Sequence, residues 1–114
     1  MIATRAVDIV RADASWSGGV TGLMKTAHLA EAFAMNCEIH TAIYHPLELV
    51  NLHCAAAMKN SEMFEVLVPE HLFAIGLKDP IDVREGIAYL PQAPGLGIEL
   101  DWDFIDNCTL KVYS

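Results

Sequence analysis

The stretch Val7-Asp8-Ile9-Val10-Arg11-Ala12-Asp13-Ala14-Ser15-Trp16-Ser17-Gly18-Gly19-Val20-Thr21-Gly22 decides the fold. β-Branched Val7, Ile9 and Val10 predict a buried parallel strand over Ala6–Asp13, although Asp8 and Arg11 interrupt the run. Ser17-Gly18-Gly19 then punctuates the chain. A helix over about Val20–Ala34 follows, with Val20, Leu23, Met24, Ala27, Ala30 and Ala34 in the i, i+3, i+4, i+7 rhythm and Asn36 as its stop.

The same unit recurs downstream. Cys37–His40 reads as a second strand, and Pro46 suits the first turn of a helix running to about Met58. Leu49, Leu52 and Ala55-Ala56-Ala57 form its expected packing face, Lys59-Asn60 ends it, and Met63–Val68 reads as a third strand. Asp13, His40 and Glu65 each close a short apolar run, at intervals of 27 (40 − 13) and 25 (65 − 40) residues. A strand plus a crossover helix takes roughly 25–30 residues, so the three residues mark consecutive β/α units. Residues at the carboxyl ends of neighbouring parallel strands converge on one site. An acid, a base and a second acid brought together there suit proton transfer.

Beyond Pro69 the pattern changes. His71–Asp82 is irregular, Gly86–Leu90 is strand-like, and Pro91-Gln92-Ala93-Pro94-Gly95-Leu96-Gly97 is a turn-rich loop. No helix pattern follows, and Leu110–Tyr113 reads as a short strand. The expected architecture is α/β: about three parallel strands and two helices over residues 1–85, then a C-terminal extension over residues 86–114. Parallel strands need cover on both faces, and a closed barrel of this kind takes eight strands over about 250 residues. The chain therefore reads as the C-terminal slice of a modified TIM-type β/α barrel.

Composition excludes several classes. The 114 residues are 54% hydrophobic and 19% charged, which provides for a core and gives no case for disorder. The formal charge of −8 and singly scattered basic residues argue against nucleic acid. No apolar run approaches the roughly 20 residues of a membrane span, and Met1-Ile-Ala-Thr-Arg leads into the first strand without a signal-peptide core. Cys37, Cys54 and Cys108 form no CxxC pair and read as buried, reduced thiols, so a cytoplasmic setting is expected.

Taken in order, Asp13–Gly22, Glu38-Ile39-His40, Phe64-Glu65 and Pro94-Gly95-Leu96-Gly97-Ile98-Glu99 resemble the enolase superfamily, most closely its mandelate racemase-like, acid-sugar dehydratase branch. The likeness runs from Met1 to about Asp101 and corresponds to the last third of a family member. The resemblance implies that His40, on the seventh barrel strand, is the general base removing the proton α to a substrate carboxylate. Asp13, on the sixth, would fix the imidazole tautomer and favour its protonated form. Glu65, on the eighth, would be protonated by burial among like charges and donate to the substrate carboxylate or enediolate. The 94–98 segment would return towards an N-terminal capping domain. Relatives resembling muconate cycloisomerase carry a catalytic lysine five residues before the Gly-Gly pair. Here that place is Asp13 (18 − 13 = 5), which favours dehydratase or racemase chemistry.

The resemblance further implies Mg²⁺ in the full-length enzyme, bound by strand-end carboxylates that precede Met1, so no metal ligand is assigned in this chain. It implies a small sugar-acid substrate, and a homo-oligomer is expected at full length. Dehydration of an acid sugar through an enediolate is the leading reading. Racemisation or epimerisation of a 2-hydroxy acid is the alternative, and a catalytically inert fragment lacking the metal site is another. Among lesser candidates, His45 lies beside the seventh strand and would line the substrate site, and Trp16 would wall the cavity or serve packing. His53 reads as a packing residue, and His28 and His71 carry no role.

Overall fold

The computed structural model describes residues 1–41 and 45–113, without the side chain of His45. Strand β1 (Val10–Ala12) leads into helix α1 (Gly19–Ala32), β2 (Cys37–Ile39) and α2 (His45–Ala57). Strands β1 and β2 are parallel, pairing Val10 with Cys37, Arg11 with Glu38 and Ala12 with Ile39. The third strand expected over Met63–Val68 shrinks to one parallel bridge from Ile39 to Phe64. The β2 edge that the segment meets is only three residues long, so little of the segment can pair.

Alternation explains the burial. Val10, Ala12, Cys37 and Ile39 point to one face and are buried with Leu23, Ala27 and Ala30 of α1 and Cys54 and Met58 of α2. Arg11 therefore does not interrupt the strand; it points to the other face. Of the alanine run only Ala55 packs against this core; Ala56 and Ala57 are exposed, and Cys54 and Met58 supply the rest of the buried face. Helix α1 stops short of Ala34, because Ala34 turns left-handed (φ 52°) and Met35 N–H reaches back to the Ala30 carbonyl. Gly18 and Gly19, at φ 82° and 72°, take the left-handed turn that starts the helix.

The opposite side of α2 carries a second cluster. Leu49 and Leu52 pack with Leu77 and Ile81, flanked by Phe64, Ala88, Leu90, Ile98 and Leu100. After a 3-10 turn at Glu70–Leu72, Asp82–Arg84 (β3) and Ile87–Tyr89 (β4) form an antiparallel hairpin. The expected strand-like run over 86–90 is thus one arm of a hairpin whose other arm starts at the last residue of the stretch read as irregular and continues through Val83 and Arg84. Glu85 and Gly86, both at positive φ, make its tight turn. A helix the sequence pattern did not announce, α3 (Trp102–Cys108), is capped by Asp101, whose Oδ1 accepts from Phe104 N–H at 3.0 Å. The strand expected over Leu110–Tyr113 is absent; that segment is irregular and exposed. Cys37 and Cys54 are buried free thiols as expected, whereas Cys108 is exposed on α3. No helix among the described residues is long and apolar enough to cross a membrane.

Candidate active site

The register places the site. Ala12, Ile39 and Phe64 lie in one row across the parallel ladder, so the next residue of each segment, Asp13, His40 and Glu65, stands in the following row. That row lies at the carboxyl ends of the strands, on the face opposite the α1–α2 core. Beneath it on the same face lies a cavity of about 430 Å³ that Glu65 of the row borders together with Ile9, Arg11, Glu38 and Met63.

Asp13 is 5% exposed and its two carboxylate oxygens have separate partners. Oδ1 accepts from Ser15 Oγ at 2.7 Å and from Trp16 N–H at 2.8 Å, closing the turn before α1. Oδ2 faces His40 Nδ1 at 3.5 Å. This is an ion-pair separation, longer than a good hydrogen bond. A carboxylate at Nδ1 selects the tautomer with the proton there and leaves the Nε2 lone pair free to accept one. The His40 backbone N–H donates to the Ala12 carbonyl, extending the ladder by one step and fixing where the imidazole begins.

Glu65 departs from expectation. Its side chain is 43% exposed, and Oε2 accepts from Arg11 Nη2 at 2.7 Å and from Thr41 N–H at 3.0 Å. The Thr41 backbone donor, with Arg11 and His40 adding to it, holds the Glu65 carboxyl below the ordinary glutamate range, against a partial loss of solvent. Glu65 is therefore an ionised acceptor here, not the protonated donor expected. The physical reason is that its closest partner is a guanidinium, whereas burial among like charges was anticipated.

The carboxyl that does respond in that way is Glu48, fully buried in the first turn of α2. Burial, then the charges of Glu65 and Glu70, push it up to about 7. Glu48, Arg11, Thr41 and Asn51 were all missed as site neighbours in the sequence. Arg11 was findable by parity, since residues 9, 11 and 13 share a face. Asn51 had no such signal: its Oδ1 accepts from Ala14 N–H at 2.8 Å, over 37 residues of separation.

Of the remaining candidates, the indole of Trp16 is 81% exposed, and only its backbone touches Asp13. His45 begins α2, and its side chain lies outside the described residues. His53 sits on α2 with Nε2 3.2 Å from the Leu96 carbonyl, joining the helix to the turn-rich loop. His28 is exposed. Among the described residues no group of three or more His, Cys, Asp or Glu side chains converges to hold a cation.

The comparisons with known proteins agree with this architecture. A family model described as enolase C-terminal domain-like matches residues 1–104. Arabinonate dehydratase of Saccharolobus solfataricus is 35% identical over 94 residues, which cover 82% of this chain and 25% of that protein. Muconate cycloisomerase 1 of Rhodococcus opacus is 28% identical over 106 residues, 91% of this chain and 28% of its own. A crystal structure of a protein of the mandelate racemase/muconate lactonizing enzyme type from Pseudovibrio sp. superposes with a TM-score of 0.92 and 34% identity, over 98% of this chain and 30% of that one. The chain thus spans between a quarter and three-tenths of the length of these relatives.

Proposed function

The chain belongs to the enolase C-terminal domain-like family, and from that premise we propose that it carries the proton-abstracting row of an acid-sugar dehydratase. The observation behind this reading is the ladder register that sets Asp13, His40 and Glu65 side by side, with Asp13 at 3.5 Å from His40 Nδ1. An aspartate five residues before Gly18-Gly19 supplies an orienting anion where a cycloisomerase-like relative would hold a cationic lysine. That difference favours the dehydratases among the relatives over the cycloisomerases.

In the proposed reaction, His40 Nε2 takes the proton α to the substrate carboxylate, and the electron pair of that C–H bond becomes a carbon–carbon double bond as the β-hydroxyl leaves. The proton held on His40 passes to the departing oxygen, which leaves as water. Asp13 stabilises the imidazolium that exists between those two transfers. Glu65 binds the substrate on the far side of His40. The residues present do not fit the magnesium implied by the family resemblance, since the described side chains form no cation site. The 114 residues alone are expected to be inert.

The test is made in the full polypeptide that carries these residues, with a panel of aldonates including arabinonate and gluconate in deuterated water. The dehydratase reading expects a 2-keto-3-deoxy product, and expects His40→Asn to lose both product and α-proton exchange while keeping its helical dichroism. Exchange at the wild-type rate in His40→Asn removes this residue from the chemistry. Deuterium entering the α position with every hydroxyl retained identifies a racemase or epimerase instead.

A further inference from the structure

Helix α2 reaches across to the turn that carries Asp13. In a parallel ladder the donors of one strand are alternate residues, evenly spaced. Val10 N–H donates to the Asn36 carbonyl at 3.0 Å, and the register that pairs Ala12 with Ile39 repeats that step two residues on. The next rung would run from Ala14 N–H to the His40 carbonyl. Asn51 Oδ1 takes that N–H instead, at 2.8 Å. Asn51 is fully buried, and its Nδ2 donates to no group among the described residues. An apolar side chain would avoid this unpaired donor, so what Asn51 contributes here is its acceptor. The remaining hydrogen bonds of residues 13–17 are local. Ser15 Oγ and Trp16 N–H donate to Asp13 Oδ1, Asp13 N–H donates to Ser17 Oγ, and Ser17 N–H donates to the Asp13 carbonyl. They shape the turn without seating it against β2.

We propose that Asn51 is a positioning residue for the Asp13–His40 pair. By standing in for the ladder's next carbonyl it releases β1 from β2 after Ala12 and seats the turn so that Asp13 Oδ2 faces His40 Nδ1. The kinetic consequence rests on the dehydratase reading; the geometry does not. Without the Asn51 oxygen, the N–H of buried Ala14 is left unpaired and turns to the His40 carbonyl. That extra rung draws Asp13 into the strand, where alternation instead of the turn sets the direction of its side chain. The carboxylate then leaves Nδ1, and the imidazole loses the partner that selects its tautomer.

The test uses the full polypeptide with ¹⁵N-labelled histidine, reading which ring nitrogen of neutral His40 carries the proton; His40→Asn identifies its signals. Wild type is expected to hold the proton on Nδ1, beside Asp13. Asn51→Leu is expected to shift the tautomer ratio about tenfold towards the Nε2–H form, as loss of one charge-assisted hydrogen bond does. Asn51→Val carries the same comparison should the Leu variant not fold. Asn51→Asp keeps an acceptor for Ala14 N–H but sets a second carboxyl one turn from buried Glu48. It is expected to lower the urea midpoint while keeping the wild-type tautomer ratio. A merely structural Asn51 would instead make the ratio follow stability in both variants. An unmoved ratio in Asn51→Leu overturns the proposal, as does an Asn51→Asp ratio displaced as far as that of Asn51→Leu. On an aldonate, Asn51→Leu is expected to lower kcat about 10²-fold, with KM within about threefold of wild type. A raised KM at unchanged kcat overturns the positioning role. The spectrum needs no turnover, so failure of the dehydratase reading, seen as a wild-type protein without product, is distinguished from failure of the Asn51 assignment.

Discussion

Asp13 divides its two oxygens between structure and chemistry, and that division yields a prediction. Asparagine can still accept from Ser15 and Trp16 through its carbonyl oxygen, so Asp13→Asn keeps the turn. It loses the negative charge beside His40 Nδ1. The expected outcome is a rate loss smaller than the 10²–10⁴-fold or more that removal of a general base typically costs, with the unfolding free energy from urea titration within about 0.5 kcal/mol of wild type. A loss equal to that of His40→Asn would mean that Asp13 does more than orient. Glu48 gives a pH prediction. Its carboxyl rises from 4.5 to about 7 on folding, so the folded state binds the proton more tightly than the unfolded one. Stability is then undiminished below pH 4.5, falls as pH rises through 7, and stays lower above it. Glu48→Gln should flatten this slope and stabilise the protein at pH 8 by on the order of 3 kcal/mol, with little effect at pH 4. Urea titrations of both proteins at the two pH values decide it; parallel pH dependence would refute the assignment.

At the scale of elements, the start of α1 depends on a close approach. A Cβ on Gly22 would overlap the Ser17 carbonyl oxygen, which belongs to the turn held by Asp13. Alanine improves intrinsic helix propensity by about 1 kcal/mol over glycine. Gly22→Ala is nonetheless expected to destabilise, by about 1–3 kcal/mol, because the clashing partner is backbone and cannot rotate away. A higher melting temperature for Gly22→Ala would show that the turn yields. Helix α2 is tied to that turn by the bond from Ala14 N–H to buried Asn51. Asn51→Leu leaves the amide unsatisfied and should cost about 1–3 kcal/mol. The α1 and α2 units were legible in sequence because each carries an apolar period and a glycine or proline boundary. The β3–β4 hairpin was half legible, since Gly86 marks the turn but Asp82-Val83-Arg84 has no apolar face of its own. Helix α3 has seven residues, too few for a period, and only the cap Asp101 betrays it.

The molecule as a whole is more open than its length requires. A compact domain of 114 residues has a radius of gyration of about 13 Å, against 15.7 Å here. A folded monomer of 12.5 kDa exposes about 6,200 Å², against 7707 Å² here. Much of the excess is apolar: Met63, Val68, Trp102, Leu110, Val112 and Tyr113 are each more than 60% exposed. The outer edge of β1 pairs with no other strand among the described residues. A free parallel edge beside exposed apolar groups favours association. The 114-residue polypeptide alone is expected to self-associate and to bind a hydrophobic dye, with weak near-ultraviolet dichroism. A monomer in light scattering, with a cooperative thermal transition and sharp near-ultraviolet bands, would contradict this.

By itself the sequence determined the β/α repeat, most of the buried face of α1 and the row containing Asp13, His40 and Glu65, because these follow from local periodicity and equal spacing. The tertiary structure alone decided the state of Glu65. Whether a carboxyl is an acceptor or a donor depends on which charges stand within a few ångströms, and Arg11 lies 54 residues away along the chain. The same holds for Asn51 beside Ala14 and for Glu48 within reach of the charges of Glu65 and Glu70. Periodicity fixes the direction in which a side chain points, whereas its partner is fixed only when separate strands and helices are packed together.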